Sequence, residues 1–322
     1  GLSNDSTTGN AVLYIVDLET GQLIKKIDTG EGSLADLSGS NYPNGLSEPT
    51  LIDIDNDGVI DYAYAGDLQG NLWKFDLTSN TAASWSVAHS APLYKACAST
   101  SCTASTFQPI TAPLKVKYHP ESGVMIYFGT GKYFETGDNT AVGQTTQTFY
   151  GIWDKNVAAF TAFTRSTLLE QQIIKELGST FVGGATNEVR VTTDNVIDWN
   201  VHNGWYLDLV NQGGSGTNNL GERQVSSAVL RDGKVLFNTL LPGDSDPCTP
   251  GGSSWFMVLD VFSGARFPFA AIDFSEDGKF DDDDFVTVAS VDVPGSGKKS
   301  KIGISGTPGV VVNGKGDLVI LQ

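Results

Sequence analysis

A strand of aromatic and aliphatic residues that ends in aspartate recurs along this chain, and a fold must give each copy an equivalent structural place. The copies are Leu13-Tyr14-Ile15-Val16-Asp17, Leu72-Trp73-Lys74-Phe75-Asp76, Tyr150-Gly151-Ile152-Trp153-Asp154, Trp205-Tyr206-Leu207-Asp208 and Phe256-Met257-Val258-Leu259-Asp260. Their aspartates are separated by 59, 78, 54 and 52 residues, the spacing of four-stranded propeller blades with insertions. A sandwich could contain such strands, but it gives no reason for them to recur at this distance. The 37 glycines, with Ser and Thr common, fit short strands joined by turns. The expected fold is all-β: a modified β-propeller with blade insertions over residues 1–322. One helical insertion is expected near 167–177, where Thr167 and Glu170 form a capping box and Leu169, Ile173 and Leu177 share a helical face. Residues 79–106 and 213–221 read as surface loops.

The segment Asp53-Ile54-Asp55-Asn56-Asp57-Gly58-Val59-Ile60-Asp61 places carboxylates at loop positions 1, 3, 5 and 9 and glycine at position 6. A hard cation wants six to eight oxygens, and position 7 would add the backbone carbonyl of Val59. Asp53, Asp55, Asp57, Val59 and Asp61 are therefore the expected calcium ligands. Position 12 is Tyr64, so the bidentate glutamate of an EF-hand is missing, and the flanks Leu51-Ile52 and Tyr62-Ala63-Tyr64-Ala65 suggest strands rather than helices. The plainer alternative is an acidic hairpin whose like charges are separated by water. A second loop, 273–284, repeats the logic with Asp273, Ser275, Asp277, Asp281 and Asp284 at positions 1, 3, 5, 9 and 12 and Gly278 at position 6. Its neutral serine and short terminal aspartate make it a weaker candidate, with a solvated acidic hairpin as the alternative.

The formal charge of −17 repels phosphate backbones and anionic membrane surfaces, which argues against nucleic-acid binding and favours cations. No apolar run is long enough for a transmembrane segment, and no signal peptide opens the chain, so a processed chain or excised fragment is expected. Cys97 and Cys102 suit a small disulfide loop in an oxidising compartment, whereas Cys248 has no evident partner. His89, His119 and His202 are scattered without zinc spacing, no G-x-S-x-G elbow nominates a serine, and Gly129-Thr130-Gly131-Lys132 lacks the spacing of a phosphate loop. No enzymatic constellation results. Most of the six tryptophans should pack in the core, with a minority left as contact residues.

Several strings together resemble a known family. They include Glu48-Pro49-Thr50-Leu51 ahead of the acidic loop, Gly66-Asp67-Leu68-Gln69-Gly70-Asn71-Leu72-Trp73-Lys74-Phe75-Asp76-Leu77, Tyr127-Phe128-Gly129-Thr130-Gly131-Lys132-Tyr133, Gly204-Trp205-Tyr206-Leu207-Asp208, Glu222-Arg223, Asp246-Pro247-Cys248 and Gly251-Gly252-Ser253-Ser254-Trp255. This series is similar to the C-terminal propeller of the PilC/PilY-type type IV pilus tip adhesins and biogenesis factors. The resemblance implies an extracellular module at the pilus tip or the outer membrane, with pilins as partners and a host surface protein or glycan as a further one. It also implies a calcium loop that controls pilus extension against retraction, supporting twitching motility and adhesion. Because five recurring units are fewer than a full ring needs, the ring is expected to be incomplete in this chain, and the family's N-terminal region is expected to lie outside it. The Arg-Gly-Asp motif of some relatives is not carried over, since Arg231-Asp232-Gly233 has the order reversed. A glycan-binding lectin-like propeller is the alternative, and a quinoprotein-type propeller enzyme a more distant one.

Overall fold

The computed structural model describes residues 9–32, 43–103, 106–140, 143–213, 219–243, 251–312 and 318–321; Cys248 and part of the 213–221 loop lie outside them. The chain divides into two units, Gly1–Ile126 with Trp153–Ser166 and Tyr127–Ile152 with Thr167–Gln322.

In the first unit, β1 (Val12–Val16) and β2 (Leu23–Asp28) form an antiparallel hairpin. An antiparallel meander follows: β3 (Thr50–Ile52), β4 (Tyr62–Gly66), β5 (Asn71–Asp76) and β6 (Ser86–Val87), with β7 (Tyr94–Lys95) beside the start of β5. Leu13, Ile27, Ala63, Ala65, Trp73 and Phe75 make its core. The β4–β5 turn is tied down by Asp67, which is fully buried. Its carboxylate accepts from the backbone N–H groups of Gln69 and Asn71 at 2.9 Å, and from Asn44 Nδ2, Asn71 Nδ2 and Trp73 Nε1 at 2.8 Å. Burial pushes the Asp67 carboxyl up, against the pull of these donors. Lys74 and Asp154 form a buried ion pair at 2.8 Å, and the Tyr64 hydroxyl donates to the same Asp154 oxygen at 2.7 Å. Cys97 and Cys102 are disulfide-bonded, with Cα atoms 5.5 Å apart. β8 (Lys115–Tyr118) neighbours β9 (Val124–Gly129), and β9 and β10 (Thr148–Asp154) lead on into the second unit.

That unit contains β11 (Leu169–Thr180), β12 (Thr186–Thr192), β13 (Gly204–Asn211), β14 (Val229–Arg231), β15 (Lys234–Asn238) and β16 (Trp255–Asp260). The hairpin of β17 (Phe285–Val288) and β18 (Val291–Pro294) follows, then β19 (Gly297–Lys299) and the hairpin of β20 (Gly309–Val312) and β21 (Leu318–Leu321). The large sheet runs in the order β14-β15-β16-β19-β12-β11-β13-β10-β9-β8. β11 and β13 are parallel, and the neighbours around them are antiparallel. Phe181, Val189, Val191, Leu236, Phe256, Val258, Ile272, Phe274 and Val286 form a core cluster here. Trp73, Trp153, Trp205 and Trp255 are all buried, as the strand pattern leads one to expect.

The all-β expectation holds, and helical structure among the described residues is confined to single 3₁₀ turns. The expected helix at 167–177 is instead a 3₁₀ turn, Arg165–Thr167, followed by the long strand β11. The reason is tertiary. Gln171, fully buried, donates Nε2 to the carbonyls of Asn195 at 2.8 Å and Ser263 at 3.0 Å, and accepts from the Thr193 hydroxyl at 2.6 Å. A helix would withdraw it from those partners and leave β12 and β13 without the strand between them.

The recurring strand-end aspartates do turn chemistry. Asp17 accepts from the backbone N–H of Thr20, Asp76 from Thr78, Asp154 from Asn156, and Asp260 from Phe262 and Ser263. Asp208 differs, accepting the Thr148 hydroxyl on β10 at 2.6 Å.

Candidate metal centre

Residues 53–61 connect β3 to β4, whose register pairs Thr50 with Tyr64 and Ile52 with Tyr62. Asp61 N donates to Ile52 O at 2.9 Å and closes the loop at its base. Between these ends Asn56 and Gly58 take φ values of 60° and 92°. A Cβ at Gly58 would meet nothing within 4 Å, so glycine is required there by backbone conformation rather than by space.

The left-handed positions turn backbone N–H groups inward onto the carboxylates. Asp53 Oδ2 accepts from Gly58 N at 2.7 Å, and Asp53 Oδ1 and Asp55 Oδ1 both accept from Asp57 N at 3.2 Å. Asp61 Oδ2 accepts from Ile54 N at 2.7 Å, and Asp57 Oδ1 from Val59 N at 2.8 Å. So held, Asp53, Asp55 and Asp61 each present a carboxylate oxygen within 4.8 Å of the others. Like charges this close repel unless a cation or water intervenes. At Asp55 the N–H of Asp57 pulls the pKa down, but desolvation and the charges of Asp57, Asp61 and Asp53 together raise it. The donors are hard oxygens on a preorganised loop, a set that could coordinate a divalent cation. Asp57 stands outside the convergent trio.

Tyr118 belongs to the site but carried no signal in the sequence. Its hydroxyl donates to the backbone carbonyl of Asp53 at 2.6 Å, fixing position 1 of the loop from β8, 65 residues away in the chain.

Loop 273–284 repeats the scaffold. Glu276 and Gly278 take φ values of 62° and 83°, matching Asn56 and Gly58. Asp273 Oδ2 accepts from Gly278 N at 2.9 Å, and Asp277 Oδ1 from Lys279 N at 2.8 Å. The carboxylate that accepts from position 2 is here Asp284, whose Oδ1 binds Phe274 N at 2.7 Å and Ser275 N at 2.8 Å. Asp281 instead caps a 3₁₀ turn. Lysines stand close by: Lys279 Nζ lies 3.0 Å from Asp277, and Lys298 and Lys301 pair with Glu276 at 3.1 and 2.9 Å. These contacts hold the Glu276 carboxyl down at about 2, through hydrogen bonds from Lys301, Lys298 and Asn187.

Comparison with known proteins gives a consistent set of relatives. A family described as "PilY1 beta-propeller domain" matches residues 2–186. A type IV pilus biogenesis factor PilY1 homolog from Xylella fastidiosa is 35% identical over 98% of this chain and 19% of its own length. The type IV pilus biogenesis factor PilY1 of Pseudomonas aeruginosa is 35% identical over 94% of this chain and 27% of its own length. Among solved structures, the crystal structure of the Pseudomonas aeruginosa PilY1 C-terminal domain superimposes with a TM-score of 0.82 at 31% identity, covering 99% of this chain and 66% of that one. The chain thus spans about a fifth to a quarter of the length of these curated relatives. Its all-β architecture is a modified β-propeller of the kind these proteins contain.

Proposed function

This chain belongs to the PilY1 family of type IV pilus biogenesis factors, and we propose that it works there as a calcium-dependent cell-surface module rather than as an enzyme. The observation that carries the reading is the convergence of Asp53, Asp55 and Asp61 within 4.8 Å on a loop closed between two paired strands. Asp53, Asp55, Asp57 and Asp61, with the carbonyl of Val59, form the proposed ligand set. Asp57 joins it by a rotation of its side chain away from the Val59 N–H. Calcium would supply the positive charge and the oxygen coordination that the clustered aspartates lack. The chain's own residues do the rest: the inward N–H groups orient the carboxylates, and Tyr118 holds the loop to β8. Ordering the loop is a local electrostatic switch, suited to controlling pilus assembly, twitching motility and surface attachment. The proposed location is extracellular, at the pilus tip or outer membrane, with pilins as partners and a host surface protein or glycan as a further one.

Loop 273–284 is proposed as a second, weaker calcium site through Asp273, Ser275, Asp277, Asp281 and Asp284. Lysines already offset part of its charge, and Lys279 would have to leave Asp277.

Calorimetry on the intact chain tests the ligand assignment. One tighter calcium event lost in Asp53→Ala and one weaker event lost in Asp277→Ala are expected, with magnesium binding poorly because it demands a small octahedral shell. Tighter magnesium than calcium binding would overturn the assignment. In a bacterium carrying the full-length protein, Asp53→Ala should impair pilus-dependent surface motility while leaving protein levels unchanged. Unimpaired motility would separate the loop from the pilus role.

A further inference from the structure

A cleft of about 180 Å³ opens in the second unit, and strands β11, β12, β13, β16 and β19 contribute to its lining. Its floor holds Arg190, whose side chain is 1% exposed. The guanidinium donates to both oxygens of Glu222 at 2.7 and 2.8 Å and twice to Glu176 Oε1, at 3.0 and 2.6 Å. It also stacks over the Trp255 ring at 4.2 Å. Buried ion pairs contribute little net stability because desolvation cancels most of their attraction. What this network does is fix a geometry at the base of an open cleft.

Among the described residues the Glu176 carboxylate is pinned through one oxygen alone, so its Oε2 is left over, on a side chain 28% exposed. Glu188 is similar, engaging Lys299 Nζ through Oε2 at 2.8 Å and leaving Oε1. Leu220, Leu241 and Trp255 supply apolar surface beside these oxygens. The lining carries three carboxylates, Glu176, Glu188 and Glu222, against two cations, Arg190 and Lys299. It therefore has an excess of one negative charge, within a chain of −17.

We propose that this cleft receives a lysine or arginine side chain from a basic protein partner. The alkyl stem lies along Leu220 and Leu241, and the cationic head is held by Glu176 Oε2 and Glu188 Oε1 as charge-assisted hydrogen bonds. An anionic group would face the excess carboxylate, and a second copy of this chain brings 37 acidic residues for 20 basic ones. The inference rests on the cleft alone and is independent of the calcium reading.

The test titrates three blocked tripeptides, Gly-Lys-Gly, Gly-norleucine-Gly and Gly-Glu-Gly, into the intact chain and follows the amide and indole resonances of Leu220, Glu188 and Trp255. The lysine peptide should bind about tenfold more tightly than its uncharged norleucine analogue, and the glutamate peptide not at all. Glu188→Gln leaves every Arg190 contact in place and should cut the lysine preference by about threefold or more. Glu176→Gln should cut it further if the protein still folds, since it also loosens Arg190. Equal binding of lysine and norleucine peptides, no shift with the lysine peptide at tens of millimolar, or a preference unchanged in Glu188→Gln would each overturn the proposal.

Discussion

Replacing Asp53 with asparagine should have little consequence in chelator and a large one in calcium, and the size of each follows from the loop. Without a cation, the Asp53 carboxylate repels that of Asp61, whose nearest ligand oxygen lies within 4.8 Å. At that separation in high dielectric the pair costs about 0.9 kcal/mol, more if partly desolvated. Asparagine removes this cost but keeps only one acceptor for the two N–H groups, Gly58 at 2.7 Å and Asp57 at 3.2 Å. Losing the weaker bond, whose donor keeps Asp55 Oδ1 at 3.2 Å, costs about 0.5 kcal/mol. The two effects nearly cancel, so in chelator the variant and the parent should melt within about 2 °C of each other. In calcium the parent gains RT ln(1 + [L]/Kd), about 2.7 kcal/mol at a hundredfold excess over Kd. At about 1.5 °C per kcal/mol for a chain of 322 residues, its midpoint should rise by about 4 °C while the variant moves little. Differential scanning calorimetry with and without chelator reads both arms. If calcium leaves the parent's midpoint where it was, and Asp53→Asn lies several degrees lower in both conditions, then the aspartates serve only their N–H bonds and no cation is involved.

Tyr118→Phe removes the hydroxyl that holds the Asp53 carbonyl and should lower calcium affinity by about three- to tenfold, the worth of one hydrogen bond, with little change in chelator stability; a calcium titration that matches the parent would assign Tyr118 no part in the site. Asp154→Asn strands the Lys74 ammonium, 3% exposed, in the core and should cost about 3 kcal/mol or more in a urea titration, whereas a cost under about 1 kcal/mol would show that Asn156 and the Tyr62 ring suffice for the lysine. Cys97→Ser opens a loop whose ends are five residues apart and should cost about 2 kcal/mol, the small penalty expected for so short a loop. Alkylation without reductant, followed by intact-mass measurement, checks the bond itself, since modification at Cys97 and Cys102 in the native chain would show it absent.

What the sequence made legible was local. The strand-end aspartates could be recognised because most of them bind N–H groups two or three residues ahead, and both aspartate loops because their glycines and carboxylates fall at fixed offsets. The failure at 167–177 has an equally physical cause. Leu169, Ile173 and Leu177 are spaced by four, which satisfies one face of a helix and, being an even interval, one face of a strand as well. What decides between them is the set of partners for Gln171, which lie 22 to 92 residues away. Tyr118 and the Arg190 network were invisible for the same reason: their meaning arises only when β8 meets the first loop, or β11, β12 and β16 are brought into one sheet.

The two loops show how little separates a cation site from an acidic turn. Both place residues 4 and 6 in the left-handed region, direct the position-6 N–H to the position-1 carboxylate and bind the position-7 N–H with the position-5 carboxylate. Backbone geometry therefore cannot by itself set the affinity. The difference lies in charge compensation: among the described residues no lysine or arginine forms an ion pair with Asp53, Asp55, Asp57 or Asp61, whereas Lys279, Lys298 and Lys301 are engaged within and beside the second loop. A loop whose charge is already offset has less to gain from a cation. Replacing Lys279 with alanine should therefore tighten the weaker calcium event and leave the tighter one unchanged. If calorimetry finds the weaker event unaltered or lost in Lys279→Ala, lysine compensation is not what distinguishes the two loops, and the neutral Ser275 and short Asp284 become the cause to pursue.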